Sequence, residues 1–392
     1  MIHAPLAGRP ALLPALAAMT WLQALVALAL FAPGAVAPSA HLDIPSLSMF
    51  STAVFAVGVV TSFWTGSLIN RIGSLRMASL CAGAVVASMA LAALGTGPAL
   101  LVAGLCLGLA FGPETPASTA LLGKLVTDER RPLVFSVRQT GNQIGAVCGS
   151  LALPAIAIWL APQWSYATVG VCAVGGIILF EWLRPRYEGL AQAPPQLGMR
   201  ARLALVSSDR RIAALAAASM PFSGMQLALN TYFVTLGVRD LGLSHLEAGG
   251  ALACAQAGGL FGRLGWGFLA MRINSARLVL ISLGLGMAVC AAAFGLWGDL
   301  LGKSGQYALA AVFGLTASGW NGVFLAEVAR LAPQDRIGET TGAVLTASYA
   351  GLLVTPFLIS AIETLAGLAG AFVGLAILTL GGTAALLRGD AR

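Results

Sequence analysis

Apolar runs of about 20 residues recur from one end of this chain to the other, a length that carries a helix across the roughly 30 Å hydrocarbon layer of a bilayer. Charged side chains make up only 9% of the 392 residues, against about 25% in soluble domains, whose surfaces must face water. A chain so poor in charge presents most of its outer surface to lipid. In lipid every backbone polar group must be satisfied internally, so the runs are predicted to be helices. There are about twelve of them, and what remains is too short for a large soluble catalytic domain.

The first six spans are predicted near 11–33, 47–70, 77–95, 98–123, 134–160 and 165–184. The second six are predicted near 211–237, 246–270, 277–298, 305–329, 338–362 and 366–388. The organisation is thus an N-terminal bundle (1–184), a polar Pro- and Arg-rich linker (185–209) and a C-terminal bundle (210–392). With the N-terminus inside, all but four of the 22 basic residues fall on the cytoplasmic side. Arg239 and Lys303 lie outside, and Arg138 and Arg263 lie within spans. Positive charge of this distribution sets topology, so both termini are expected in the cytoplasm of a bacterial cell, with the protein in the inner membrane. The net charge of +7 therefore belongs to topology and anionic lipid, not to nucleic acid. The first apolar run has no convincing cleavage site and reads as a retained helix. The six cysteines fall inside spans and read as small apolar residues.

The chain also repeats itself. Gly66-Ser-Leu-Ile-Asn70-Arg71-Ile-Gly-Ser-Leu-Arg76 follows span two, and Gly267-Phe-Leu-Ala-Met271-Arg272-Ile-Asn-Ser-Ala-Arg277 follows span eight, 201 residues later. The same offset carries Thr140-Gly141 onto Thr341-Gly342. Two six-helix halves of one orientation form a parallel repeat. Twelve spans, this repeat, the linker and the loop after span two together resemble the major facilitator superfamily across the whole chain. The resemblance implies an all-α membrane protein of two six-helix bundles that rock about a central cavity. At the loop position where that family has an aspartate this chain has Asn70, and Met271 in the second copy, so a charge-pair latch there would be weakened or rebuilt.

Gly262-Arg263-Leu-Gly-Trp-Gly267 is similar to the arginine-bearing eighth helix of the monocarboxylate porter and oxalate/formate antiporter branch. That resemblance implies that Arg263 binds a substrate carboxylate. An acidic residue found one turn earlier in some relatives is Gly259 here, and span one lacks the lysine some relatives use for proton coupling. Gly319-Trp320-Asn321-Gly322 through Glu327 and Arg330 looks like span ten of many bacterial members.

Arg263 lies about 12 Å from its helix end, at 1.5 Å per residue. An arginine near the bilayer centre costs about 2.5–3.5 kcal/mol on insertion scales, so it faces a cavity or a partner. Its planar fork suits a carboxylate, and the bland alternative is a structural, snorkelling arginine. Glu114, between Pro113 and Pro116, is the one acid deep in the first half. In a low-dielectric site it could carry a coupling proton, or simply be neutralised by Arg138. Arg138, with Gln139, Asn142 and Gln143, reads as gate or helix-end glue. Gly141, Gly145 and Gly149 have the four-residue spacing that lets a neighbouring helix approach closely. The family's antiporter signature has a Gly-Pro pair that is absent here, so direction stays open.

By resemblance, spans one, four, seven and ten line the cavity. Its polar or aromatic candidates are Trp21, Gln23, Gln226, Asn230, Tyr232, Trp320 and Asn321, which could equally satisfy one another. His41 and Asp43 read as solvated. Three histidines form no metal-ligand cluster, and no nucleotide loop or nucleophile-base pair is visible. No enzyme activity or cofactor is expected. The function expected is secondary transport of a small organic anion by a monomer, coupled to protons or a counter-substrate. Export of hydrophobic drug-like compounds and a non-transporting sensor on the same fold are the alternatives.

Overall fold

The computed structural model describes residues 11–40, 42, 44–187 and 198–388. His41, Asp43, Arg9, Arg392 and the prolines at 194 and 195 lie outside them. The first half consists of α1 (Leu12–Ala40), α2 (Ile44–Ile72), α3 (Ser74–Ala92), α4 (Gly97–Leu125), α5 (Arg131–Trp159) and α6 (Pro162–Tyr187). A short α7 (Met199–Ser207) precedes α8 (Arg210–Arg239), α9 (His245–Arg272), α10 (Ala276–Trp297), α11 (Gly302–Ala317), α12 (Trp320–Leu331) and α13 (Ile337–Arg388). No strand occurs among the described residues. α6 runs through Pro185 to Tyr187, and the short α7 lies within the stretch 185–209 expected to link the halves.

Nine segments among the described residues are long and apolar enough to cross a membrane. α9 is not one of them, since its glycines, Gln256 and Arg263 dilute its apolar content. Two of the nine, Ala276–Leu331 and Ile337–Arg388, exceed what one crossing needs and are broken internally. Gly302 (φ 61°) and Gly367 (φ 71°) make two of the breaks, in a backbone region that costs little only for glycine. After Gly367, the Asp240 carboxylate accepts from the Ala369 amide at 3.0 Å, serving one of the donors that a helix start leaves unpaired. Outward-facing side chains such as Leu151, Ile158, Val171, Phe261 and Phe357 are large, apolar and exposed. That surface suits lipid, and the chain is a multi-pass membrane protein.

Small residues set the helix packing. Along α5, Gly141 and Gly145 lie where a Cβ would overlap the Thr20 and Ala24 carbonyl oxygens of α1, and Gly149 faces Leu28 more loosely. Gly104, Gly108 and Gly112 of α4 meet α2 in the same way. In the second half, Gly258 and Gly262 of α9 and Gly314 of α11 bring two backbones into direct contact. This contact accounts for the break at Ser318-Gly319 that divides the expected tenth span. A Cβ on Gly319 would lie 2.5 Å from the Leu315 oxygen and 2.6 Å from Trp266. The Leu315 carbonyl accepts instead from the Trp266 indole at 3.0 Å.

The halves meet at one end of the molecule. There Gly66 of α2 abuts Glu339 of α13, and Ser62 Oγ donates to the Gly342 carbonyl at 3.1 Å. Across the pseudo-axis, Gly267 of α9 and Gly322 of α12 both close on Ser136 of α5. Gly66 and Gly267 are the first residues of the two repeated loop segments, so one repeat offset produces two equivalent close approaches. The buried Arg131 guanidinium donates to the Gly123 carbonyl at 2.9 Å and, across the halves, to the Ala329 carbonyl at 3.3 Å.

Candidate substrate cavity

Above this seal the halves part around a cavity of about 690 Å³, well within the range of small-molecule sites. Its floor is buried and includes Glu114, Gln139, Arg263, Trp320, Ser348 and Tyr349. Its far wall, with Phe31, Gly34, Val147, Ser150, Asn230 and Thr231, is exposed. The cavity is therefore open away from the seal. A second cavity of about 570 Å³ lies at the sealed end, and its arginines are already engaged. Arg330 pairs with Glu327, Arg211 with Asp209, and Arg277 donates to the Leu386 carbonyl.

The first half contributes a neutralised pair. Arg138 of α5 binds Glu114 of α4 directly, and its guanidinium also donates to Ser118 Oγ at 3.0 Å and Thr115 Oγ1 at 3.4 Å. The second Glu114 oxygen accepts from Thr115 Oγ1 at 2.5 Å. Glu114 is the one acidic residue lining the cavity among the described residues.

The second half contributes a cation with no anion. Arg263 is 1% exposed, and among the described residues no carboxylate pairs with it. One guanidinium nitrogen donates to the Gln139 backbone carbonyl at 3.0 Å, and the Nε of Arg263, also buried, has no hydrogen-bond partner among the described residues. The neighbouring Gly262 fixes its place, because that glycine presses α9 onto α11 and leaves Arg263 directed at α5 and the cavity floor. A buried guanidinium with an unused donor can bind an incoming carboxylate through parallel charge-assisted hydrogen bonds.

Neutral polar and aromatic groups surround these charges. Gln226 of α8 accepts from Trp320 Nε1 at 3.2 Å and from Asn321 Nδ2 at 3.0 Å. Gln23 of α1 and Gln139 of α5 are joined amide to amide at 2.6 Å. Phe55, Phe111 and Tyr349 form one aromatic wall, with successive ring centroids 5.5 and 5.0 Å apart.

Arg263, Gln23, Gln226, Asn230, Trp320, Asn321 and Glu114 all line the cavity. Trp21 and Tyr232 are not among its lining residues: Trp21 packs toward Gly176 of α6, and Tyr232 is partly buried against the apolar core. Arg138 sits behind Glu114, buried and not at a helix end. At the sealed end Arg71 and Arg272 are exposed, with Arg272 over the Phe268 ring, while Asn70 Nδ2 is buried with no hydrogen-bond partner among the described residues. Arg131, Phe111 and Tyr349 carry parts of the site that sequence reasoning did not single out. For Arg131 the sequence held no signal that sets it apart from the adjacent Arg130. Tyr349 lies in a span outside the set expected to line the cavity.

A helical bundle soluble in lipid, with a charged cavity between two halves and a seal at one end of it, is the architecture of a solute transporter. The sequence matches the Major Facilitator Superfamily over residues 15–356. The chain belongs to that superfamily, whose members are transporters and not enzymes. It is 26% identical over 266 residues to a gallate transporter of Pseudomonas putida, a match covering 59% of this chain and 58% of that relative. The chain thus spans under two thirds of that relative's length in the match. Its fold is similar to that of the human organic anion transporter MFSD10, with a TM-score of 0.79 at 17% identity, covering 96% of this chain and all of that one. It is likewise similar to the fucose:proton symporter of E. coli, with a TM-score of 0.77 at 13% identity, covering 96% and 98% of the two chains.

Proposed function

We propose that this protein is a secondary transporter of a small organic anion, a carboxylate, which binds Arg263 in the central cavity and crosses by alternating access. The observation that carries this reading is the buried Arg263, which lines the cavity and lacks a carboxylate partner among the described residues. A buried cation left without a counter-charge is costly, and an anionic cargo supplies one. The gallate transporter similar to this chain has a carboxylate as its named cargo, which supports the same class.

Glu114 is the proposed proton site. Protonating it would release Arg138 from its pair and place a second cation beside the floor. The basic residues Arg71, Arg131, Arg272, Arg330 and Arg336 cluster at the sealed end, which supports a cytoplasmic seal in a bacterial inner membrane, both termini inside, and a cavity open outward. The working unit is a monomer, since one chain supplies the whole cavity.

A thermal-shift screen of the purified protein tests the cargo class. A ligand that binds only the native state stabilises it by about 2.7 kcal/mol at 100 times its Kd. Carboxylates are expected to raise Tm in the wild type and not in Arg263→Gln. A response to amphipathic drugs alone, or carboxylate shifts indifferent to Arg263, would overturn the anion reading.

A further inference from the structure

Two donors beside Gln226, from Trp320 and Asn321, define the orientation of its amide. An indole nitrogen can only donate, so the atom of Gln226 that faces Trp320 Nε1 at 3.2 Å is the oxygen. The Asn321 amide nitrogen donates to the same oxygen at 3.0 Å. With its carbonyl held by two donors, Gln226 cannot flip without leaving the Trp320 N–H facing another donor. Its Nε2 group is thereby fixed as a donor, and it has no protein partner among the described residues. Trp320 itself cannot turn away, since it is 1% exposed and wedged edge-on between Phe222 and Phe324.

The cavity thus offers two different donors from the second half: the cationic fork of Arg263 on α9 and the neutral amide of Gln226 on α8. A neutral donor discriminates little between carboxylates, which the arginine already binds. It discriminates strongly between a cargo that carries a further oxygen and one that presents bare hydrocarbon there. The same cavity is lined by the aromatic wall of Phe55 and Phe111 from the first half and Tyr349 from the second, whose faces and edges suit a flat ring.

Resting on the assignment of Arg263 to the carboxylate, we propose that Gln226 is a specificity-determining residue that selects an aromatic carboxylate bearing a ring hydroxyl, whose oxygen accepts from Gln226 Nε2. Trp320 and Asn321 are its positioning residues. The cargo lies with its carboxylate on Arg263, its ring against the Phe111–Tyr349 wall and its hydroxyl oxygen on Gln226.

The test compares Kd values for benzoate and for 3- and 4-hydroxybenzoate by titration calorimetry on the full-length purified protein. Wild type is expected to bind at least one hydroxybenzoate about tenfold more tightly than benzoate, the worth of one well-placed hydrogen bond. Gln226→Leu is expected to lose that preference, its Kd values for benzoate and the hydroxybenzoates falling within about twofold of one another. Trp320→Phe retains a ring but removes the donor that fixes the amide, and is expected to reduce the preference about threefold. Should Gln226→Leu misfold, Gln226→Met and Trp320→Phe still read out the same ratio. Wild-type binding of benzoate and hydroxybenzoates with equal Kd would overturn this inference and leave the anion reading intact. A preference preserved in Gln226→Leu would also overturn it. Failure of all three ligands to bind, together with other carboxylates, would overturn the anion reading itself.

Discussion

Replacing Gly66 with leucine places a side chain where the two halves meet backbone to backbone. A Cβ there would stand 2.6 Å from the Glu339 backbone nitrogen and 2.5 Å from its Cγ. Glu339 cannot retreat cheaply, because Arg336 pairs with it at 2.8 Å and the next turn is tied to Ser62. Overpacking a tight contact costs about 1–3 kcal/mol, and the three further carbons of leucine argue for the upper end. The cost falls only on the state in which this end is sealed. A shift of about 3 kcal/mol changes that equilibrium roughly 150-fold, so a seal favoured about 100:1 would fall to about 2:3. Spin labels at Glu129→Cys and Gln334→Cys, one exposed site on each half at this end, report the separation. Wild type is expected to show mainly the short distance, and Gly66→Leu a second, longer population of comparable size. Gly83→Leu, at a glycine with open space around it, is the control and should leave the distribution unchanged. An unaltered distribution in folded Gly66→Leu protein would refute the assignment of this contact as the seal.

Three further outcomes follow from other contacts. Glu114→Gln leaves Arg138 buried without its counter-charge, expected to cost about 3–5 kcal/mol, and Glu114→Gln/Arg138→Gln should recover most of it; thermal unfolding in detergent checks this, and a double variant as unstable as the single one would contradict it. Gly314→Val drives a side chain into the Ala255 carbonyl and pushes α9 away from α11, so carboxylate affinity should fall at least tenfold while the protein still elutes as a folded species. Asp209 caps α8 by accepting from the Arg211 amide at 2.8 Å, and hydrogen bonding from the Arg211 guanidinium holds its carboxyl below the usual carboxylate range. The cap therefore contributes fully above the unfolded value of about 3.9 and is lost as pH falls through the depressed folded value. Asp209→Ala should be about 1 kcal/mol less stable near neutrality and should converge with wild type in acid, as melting curves across pH will show.

The helical, lipid-facing character of the chain was legible because it depends on composition summed over long windows, which local detail barely alters. The repeat was legible for a different reason, two short segments matching at one offset, and the first residues of one matched pair, Gly66 and Gly267, each sit at a close approach between the halves. What a hydropathy pattern does not resolve is rotation about each helix axis. Trp21 and Gln23 are two residues apart, so at 3.6 residues per turn they point in nearly opposite directions; only Gln23 lines the cavity. Asn230 and Tyr232 divide in the same way. The break before Trp320 was hidden because apolar content continues across it, while its cause lies on another helix, at Gly262 and Trp266. Arg131 is indistinguishable in sequence from the loop arginines beside it. Only the approach of α12 buries it and turns it into a link between the halves.

The most direct measurement of the account is exchange of a labelled hydroxybenzoate by the protein reconstituted in liposomes, comparing wild type with Arg263→Gln at matched folded protein. Saturable movement across the bilayer by wild type, abolished in the variant, is the result expected. Equal flux in both would contradict the role given to Arg263, and tight binding by wild type with no flux at all would mark a receptor built on a transporter's frame.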